Sequence, residues 1–297
     1  MRYYNKVAIE LPFCAFQIKC YAIWEDIKMY INRNIYDTYM ANQDESILFI
    51  TAFKDIGRNK WNHCSRGNQS YFELFLMLAK NINYNLIVFV SDEIQQYLRT
   101  IHEFTPNIIF KNLDDTETFS EKYLDQDLLT MSSKKYQSMI PAERKNNPEH
   151  LYSAYNFINH SKINFVSASK KMYPDFDFYS WIDFGYVRDE RSIPRGIKTS
   201  RLPKSIIYHC VINPTKKIEP EDMLKSNDIY ITGSSFIVHA SMVGVYEELY
   251  ENKIKEWLKR GITDDDQNLI LQLYYDSPDL FHLIQCNTWF SLYNILP

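Results

Sequence analysis

Three neighbouring stretches constrain the fold more than anything else in the chain. Ser46-Ile47-Leu48-Phe49-Ile50-Thr51-Ala52-Phe53 is an unbroken, β-rich apolar run that ends in a polar segment where Gly57 breaks the pattern. Tyr71, Phe72, Leu74, Phe75, Leu78 and Ala79 then recur at helical spacing, and Asn85-Leu86-Ile87-Val88-Phe89-Val90 is a second buried-type run. Parallel strands need a crossover of about a dozen residues, usually a helix, so strand, loop, helix, strand predicts a parallel sheet covered on both faces.

The rest of the chain extends this α/β reading. Residues 91–104 read as a helix, and Ile108-Ile109-Phe110 as a third strand. Residues 112–148 turn polar and read as loop and surface helix. The longest helical stretch is 149–172, bent near Ser161 and stopped by Pro174. Phe178-Tyr179-Ser180-Trp181-Ile182-Asp183-Phe184-Gly185 is the next strand, and it ends in a carboxylate and a glycine. Residues 186–227, with Pro194, Pro203, Pro214 and Pro220, read as irregular around one strand at 205–212. Strand-like 228–238, helical 239–258 and a helix over 264–275 complete the chain, with no internal repeat and no linker.

Composition removes several classes. Lys and Arg number 33 against 37 Asp and Glu, a formal net charge of −4, so phosphate neutralisation along a nucleic acid is not the main source of affinity. Seven glycines, with no GxGxxG or GxxxxGK[ST], exclude the Gly-rich phosphate loops. No apolar run approaches the roughly 18 residues of a membrane span, and Arg2, Lys6, Glu10 and Lys19 interrupt any leader-like stretch. Cys14, Cys20, Cys64, Cys210 and Cys286 show no CxxC spacing and read as reduced thiols of a cytoplasmic protein, with attachment to a membrane surface still allowed. His63 beside Cys64 lacks a second ligand pair, and Ser234-Ser235 after Gly233 forms no nucleophile elbow.

Three constellations can carry chemistry. Asp183 closes a buried strand, where open α/β sheets place their ligands, and such a carboxylate can hold a divalent cation against a diphosphate or simply cap the next turn. Asp264-Asp265-Asp266-Gln267 opens a helix, where one or two acids suit the macrodipole but three repel each other. A cation or a polyhydroxyl substrate would relieve that repulsion, and one acid could act as general base. The loop Thr51-Ala52-Phe53-Lys54-Asp55-Ile56-Gly57-Arg58, with Arg66 and Lys162, can meet a nucleobase or a phosphate, or hold a structural Arg58–Asp55 pair.

The blocks from Ile50 to Arg58, His160-Ser161-Lys162, Trp181-Ile182-Asp183-Phe184-Gly185-Tyr186 and Asp265-Asp266-Gln267, in this order, resemble the HtrL/YibB-like (WlaTC/HtrL-like) family over about residues 46–290. That family resembles glycosyltransferases of the GT-A fold associated with bacterial surface-glycan synthesis. The likeness implies one GT-A-like domain over 46–297, a mostly parallel mixed sheet flanked by helices, with 1–45 as an extension packed on it. It matches Asp183 to the metal-and-ribose carboxylate of an Asp-x-Asp motif, whose second acid is here Gly185, Lys162 to a basic residue before it, and Asp265-Asp266-Gln267 to a late acidic motif near the acceptor.

The resulting expectation is transfer of a sugar from a nucleotide diphosphate donor, a UDP-sugar, to a hydroxyl of a glycan or glycoconjugate. Thr51, Ala52, Phe53, Asp55, Arg58, Lys162, Trp181 and Asp183 would bind the donor nucleotide. Asp265 or Asp266 would act on the acceptor, and Gly233, Ser234 and Gln267 would line the sugar or acceptor side. Mn²⁺ or Mg²⁺ would sit on Asp183 and His282. A metal-dependent phosphoesterase and a non-catalytic nucleotide- or glycan-binding protein are the alternatives, the latter motivated by Gly185.

Overall fold

The apolar run at the front of the sheet forms β1 (Ile47–Ala52), and the second forms β2 (Asn85–Val90); every residue of both is buried. These assignments come from a computed structural model that describes residues 46–296 apart from 205, 214 and 215; the extension expected over 1–45 lies outside the described residues. Between the two strands runs α1 (Asn68–Asn81), which buries Phe72, Phe75, Leu78 and Ala79 along one face as its spacing predicts. Then come α2 (Asp92–Ile101), capped by the Ser91 hydroxyl, and β3 (Ile108–Asn112).

Residues 112–148 carry the expected surface helix, with Leu128 and Leu129 exposed on it. This helix, α3 (Phe119–Ser132), is opened by a capping box of Thr118 and Glu121 and buries Phe119 and Met131. The expected helix over 149–172 is broken into α4 (Ser153–His160) and α5 (Lys162–Met172) at Ser161, whose hydroxyl bonds back to the Phe157 carbonyl at 2.6 Å. α5 packs on β1 and β4 (Phe178–Ile182) through residues that include Ile163, Phe165 and Val166. After β5 (Ile207–Val211) and β6 (Ile231–His239) come α6 (Val243–Arg260), α7 (Asp266–Asp276) and β7 (Phe281–Gln285).

The seven strands form one mixed sheet in the order β3-β2-β1-β4-β6-β5-β7. β6 pairs antiparallel with β4 and β5, and every other pairing is parallel. The described chain is thus a single α/β domain with a mostly parallel sheet between helices. β7 was not expected, and its pairing beside β5 corrects the reading of five reduced thiols: it brings the Cα atoms of Cys210 and Cys286 to 5.8 Å, where the two are joined as a disulfide.

Candidate active site

β1 and β4 lie side by side and parallel, yet the chain leaves β1 through α1 toward β2 and β3, while β4 opens the other half of the sheet. The direction of sheet growth reverses between them, and open α/β sheets bind ligands outside the carboxyl ends of such a pair. A cleft of about 380 Å³ lies there. Its lining comes from the loops after β1 and β4, the start of β6, and the N-terminal ends of α5 and α7.

Lys162, the first residue of α5, is the centre of the site. Its ammonium donates to the Gly233 carbonyl at 2.7 Å and to Asp266 Oδ2 at 2.8 Å, and it lies 3.2 Å from Asp183 Oδ1. Burial works against the Lys162 charge, but Asp183 and then Asp266 outweigh it and raise its pKa above the ordinary lysine value. Asp183 also accepts from Trp181 Nε1 at 2.8 Å, and its side chain keeps 36 % of its surface open where that of Asp266 keeps 4 %. Burial pushes the Asp183 carboxyl upward against the pull of Lys162. His160 Nε2 meets the Asp264 carbonyl at 3.0 Å and so ties α4 to the loop that presents Asp266.

Gly233 has a steric reason to be glycine. A β-carbon there would overlap both carboxylate oxygens of Asp266, whereas one at Gly185 would meet Leu74 Cδ1 at 3.4 Å, Tyr71 Cδ1 at 3.5 Å and Arg188 Nη2 at 3.8 Å, all ordinary contact distances. Gly233→Ala is therefore expected to lose about 1–3 kcal/mol, the range for overpacking a filled site. Gly185 is buried as well, but a β-carbon there meets its neighbours at van der Waals distances, so Gly185→Ala is expected to cost less than Gly233→Ala. Urea unfolding of the two variants checks the contrast.

Of the residues expected in the site, Ala52, Phe53, Asp55, Arg58, Lys162, Trp181, Asp183, Gly233, Ser234, Asp266 and Gln267 line this cleft. Thr51 does not: it is fully buried within β1. Asp265 does not either: it caps α7 by accepting from the Gln267 amide, and its other oxygen takes the Gln267 side chain. Arg58 and Asp55 do not pair. Arg58 donates to the Cys64 carbonyl and the Tyr71 hydroxyl, while Asp55 accepts from the Gly57 amide and the Asn68 side chain. Arg188, Tyr155 and Trp289 line the cleft without having been expected there. Arg188 carried one legible signal, a cation five residues beyond a strand-end carboxylate.

The residues around Asp183 do not fit the expected Mn²⁺ or Mg²⁺. His282 is exposed on β7, its ring 5.6 Å from that of Tyr208, and β7 lies three strand spacings, roughly 14 Å, from β4. The partner carboxylate, Asp266, is taken by the Lys162 ammonium. Lys54, Arg58, Arg66, Lys162 and Arg188 face only Asp55, Asp183 and Asp266, which leaves the cleft lining a formal excess of positive charge that repels a dication. A group that could hold a metal ion does exist elsewhere: ligand atoms of Glu149, His150 and Asp264 lie within 4.8 Å of one another. There burial, then Glu149, pushes the Asp264 carboxyl up to about 7, and none of the three lines the cleft.

Residues 45–297 match the family described as "Bacterial protein of unknown function (HtrL_YibB)". "Protein HtrL" of Escherichia coli (strain K12) is 26% identical over 265 residues, covering 84% of this chain and 91% of the relative. Among solved structures, a glycosyltransferase involved in the glycosylation of the major capsid of PBCV-1 aligns with a TM-score of 0.39 and 9% identity, over 80% of this chain and 81% of its own. The 4-diphosphocytidyl-2C-methyl-D-erythritol synthase of Anaerococcus prevotii DSM 20548 aligns with a TM-score of 0.40 and 12% identity, over 82% and 91%.

Proposed function

The chain belongs to the HtrL_YibB family, and from that premise and the geometry of the cleft we propose that it is a glycosyltransferase that moves a sugar from a nucleoside diphosphate donor, a UDP-sugar, to a hydroxyl of a glycan or glycoconjugate. The observation that carries the reading is a cleft of nucleotide-binding size at the β1–β4 switch point, lined by the guanidinium groups of Arg58, Arg66 and Arg188 and by the partly open Asp183 carboxylate at the end of β4. Guanidinium pairs suit a diphosphate, and a carboxylate suits a hydroxyl.

In the transfer, the bond between the anomeric carbon and the diphosphate oxygen breaks, and its electron pair stays on the diphosphate. The acceptor oxygen forms the new bond at the anomeric carbon, and its proton passes to a carboxylate. Asp183 is the better placed of the two cleft carboxylates for that proton. Asp266 is buried and ion-paired, which holds it as the anchor of Lys162, and Asp265 serves as a helix cap. Gly233 and Ser234 line the acceptor side, where the Ser234 hydroxyl is already given to the Trp289 carbonyl at 2.8 Å. No described helix is long and apolar enough to cross a membrane.

UDP is expected to raise the melting temperature more than GDP, CDP or ATP. A ligand present at 100 times its Kd stabilises by about 2.7 kcal/mol, a shift that differential scanning fluorimetry resolves. No shift with any nucleotide at millimolar concentration would overturn the donor site.

A further inference from the structure

Three guanidinium groups face the cleft, and among the described residues none of them has a carboxylate within ion-pair distance. Arg58 spends two of its donors on the Cys64 carbonyl and the Tyr71 hydroxyl, with its Cζ 5.5 Å from the Trp61 ring centre. Among the described residues, Arg66 lies over the Tyr71 ring at 5.2 Å and Arg188 over the Phe290 ring at 4.9 Å, with Asp183 acting on Arg188 at longer range. Ring faces orient a guanidinium while leaving its N–H fork free for an oxyanion. The two forks are close enough to repel: burial first, and then Arg66, lower the Arg188 pKa below the ordinary arginine value. Asp183 offsets part of this repulsion, but with five cations against three carboxylates in the lining the balance favours an anion.

The position of Arg188 adds a second observation. Its Nη2 lies 3.8 Å from where a β-carbon of Gly185 would stand. Gly185 has no positive φ and ordinary contact distances around that point, so neither backbone nor packing demands glycine. The position two residues beyond Asp183, from which a carboxylate could reach a metal ion, carries no side chain and has a guanidinium beside it. Within the same cleft Lys162, fixed between Asp183 and Asp266, supplies a further permanent cation.

We propose that this cleft binds a diphosphate directly through Arg66 and Arg188, supported by Arg58 and Lys162, with no divalent cation between protein and phosphate. The proposal rests on the donor reading above and deepens it. In transfer these groups would stabilise the negative charge that the departing diphosphate gains when its bond to the sugar breaks. Charge-assisted forks suit that role because they are in place before the charge develops.

Inorganic pyrophosphate is the probe, titrated calorimetrically into the full chain in excess EDTA and again with Mn²⁺. The expected result is an affinity that changes less than about threefold between the two conditions. Arg66→Gln and Arg188→Gln should each weaken it at least about tenfold, as loss of a charged hydrogen-bonding partner does. Unchanged circular dichroism and melting temperature would show that both variants are folded. Gly185→Asp should weaken binding in EDTA through its charge beside Arg188. Pyrophosphate that binds only with Mn²⁺, fails to bind, or binds both arginine variants as tightly as the parent would overturn the proposal. Metal-free pyrophosphate binding without any nucleotide-induced melting shift would leave the anion site standing and remove the nucleotide-donor reading. Nucleotide binding that requires Mn²⁺ would do the reverse.

Discussion

Lys162→Met is expected to cost about 3–5 kcal/mol of stability, the range for removing one partner of a buried ion pair. The size follows from what remains behind. Asp266 keeps only 4 % of its side chain exposed, and Lys162 is its sole ion-pair partner among the described residues, so the variant buries a bare carboxylate. The Gly233 carbonyl loses its donor as well. Asp266→Asn added to Lys162→Met should recover much of the loss, because it removes the charge left without a partner. Urea unfolding of the single and double variants checks this, and a deficit under about 1 kcal/mol for Lys162→Met would mean that the carboxylates are solvated and the triad carries little.

Asp183→Asn is expected to lower turnover of a nucleotide sugar by about 10²-fold or more, the scale of general-base catalysis. The amide keeps the shape of the carboxylate, and its oxygen can still accept from Trp181 Nε1. Lys162 retains Asp266 and the Gly233 carbonyl, so the fold should hold. Affinity for UDP should be unchanged or tighter, because a negative charge leaves the neighbourhood of the diphosphate. Asp265→Asn is the control. It exchanges one good helix cap for another, away from the cleft, and should keep turnover. Initial rates of nucleoside diphosphate release, measured beside UDP affinity for the three proteins, check the pair. Turnover of Asp183→Asn within about threefold of the parent would remove Asp183 from the chemistry.

What the sequence made legible follows the physics of burial. β1, β2 and β4 are covered on both faces, so they read as unbroken apolar runs, and the helical spacing between β1 and β2 fixed their parallel relation. Asp183 was visible because a carboxylate directly after such a run has few other places to be. β7 is an edge strand, half open, and Phe281-His282-Leu283-Ile284-Gln285 has no pattern that separates it from a loop. Strand order is not written in local sequence either, which is why His282 could be taken as a companion of Asp183. The three aspartates before α7 look alike in sequence. The turn into the helix separates them: Asp264 points toward Glu149 and His150, Asp265 caps, and Asp266 reaches Lys162. Arg66 and Arg188 line the same cleft from loops 122 positions apart, and no spacing rule joins them.

The most direct test of glycosyl transfer is release of nucleoside diphosphate from a panel of nucleotide sugars by the purified chain, with water or a simple sugar as the acceptor. The account predicts that UDP accumulates from at least one UDP-sugar with the parent protein and far more slowly with Asp183→Asn. Release of no nucleoside diphosphate from any nucleotide sugar, together with hydrolysis of a simple phosphodiester, would contradict it and make the chain a phosphoesterase.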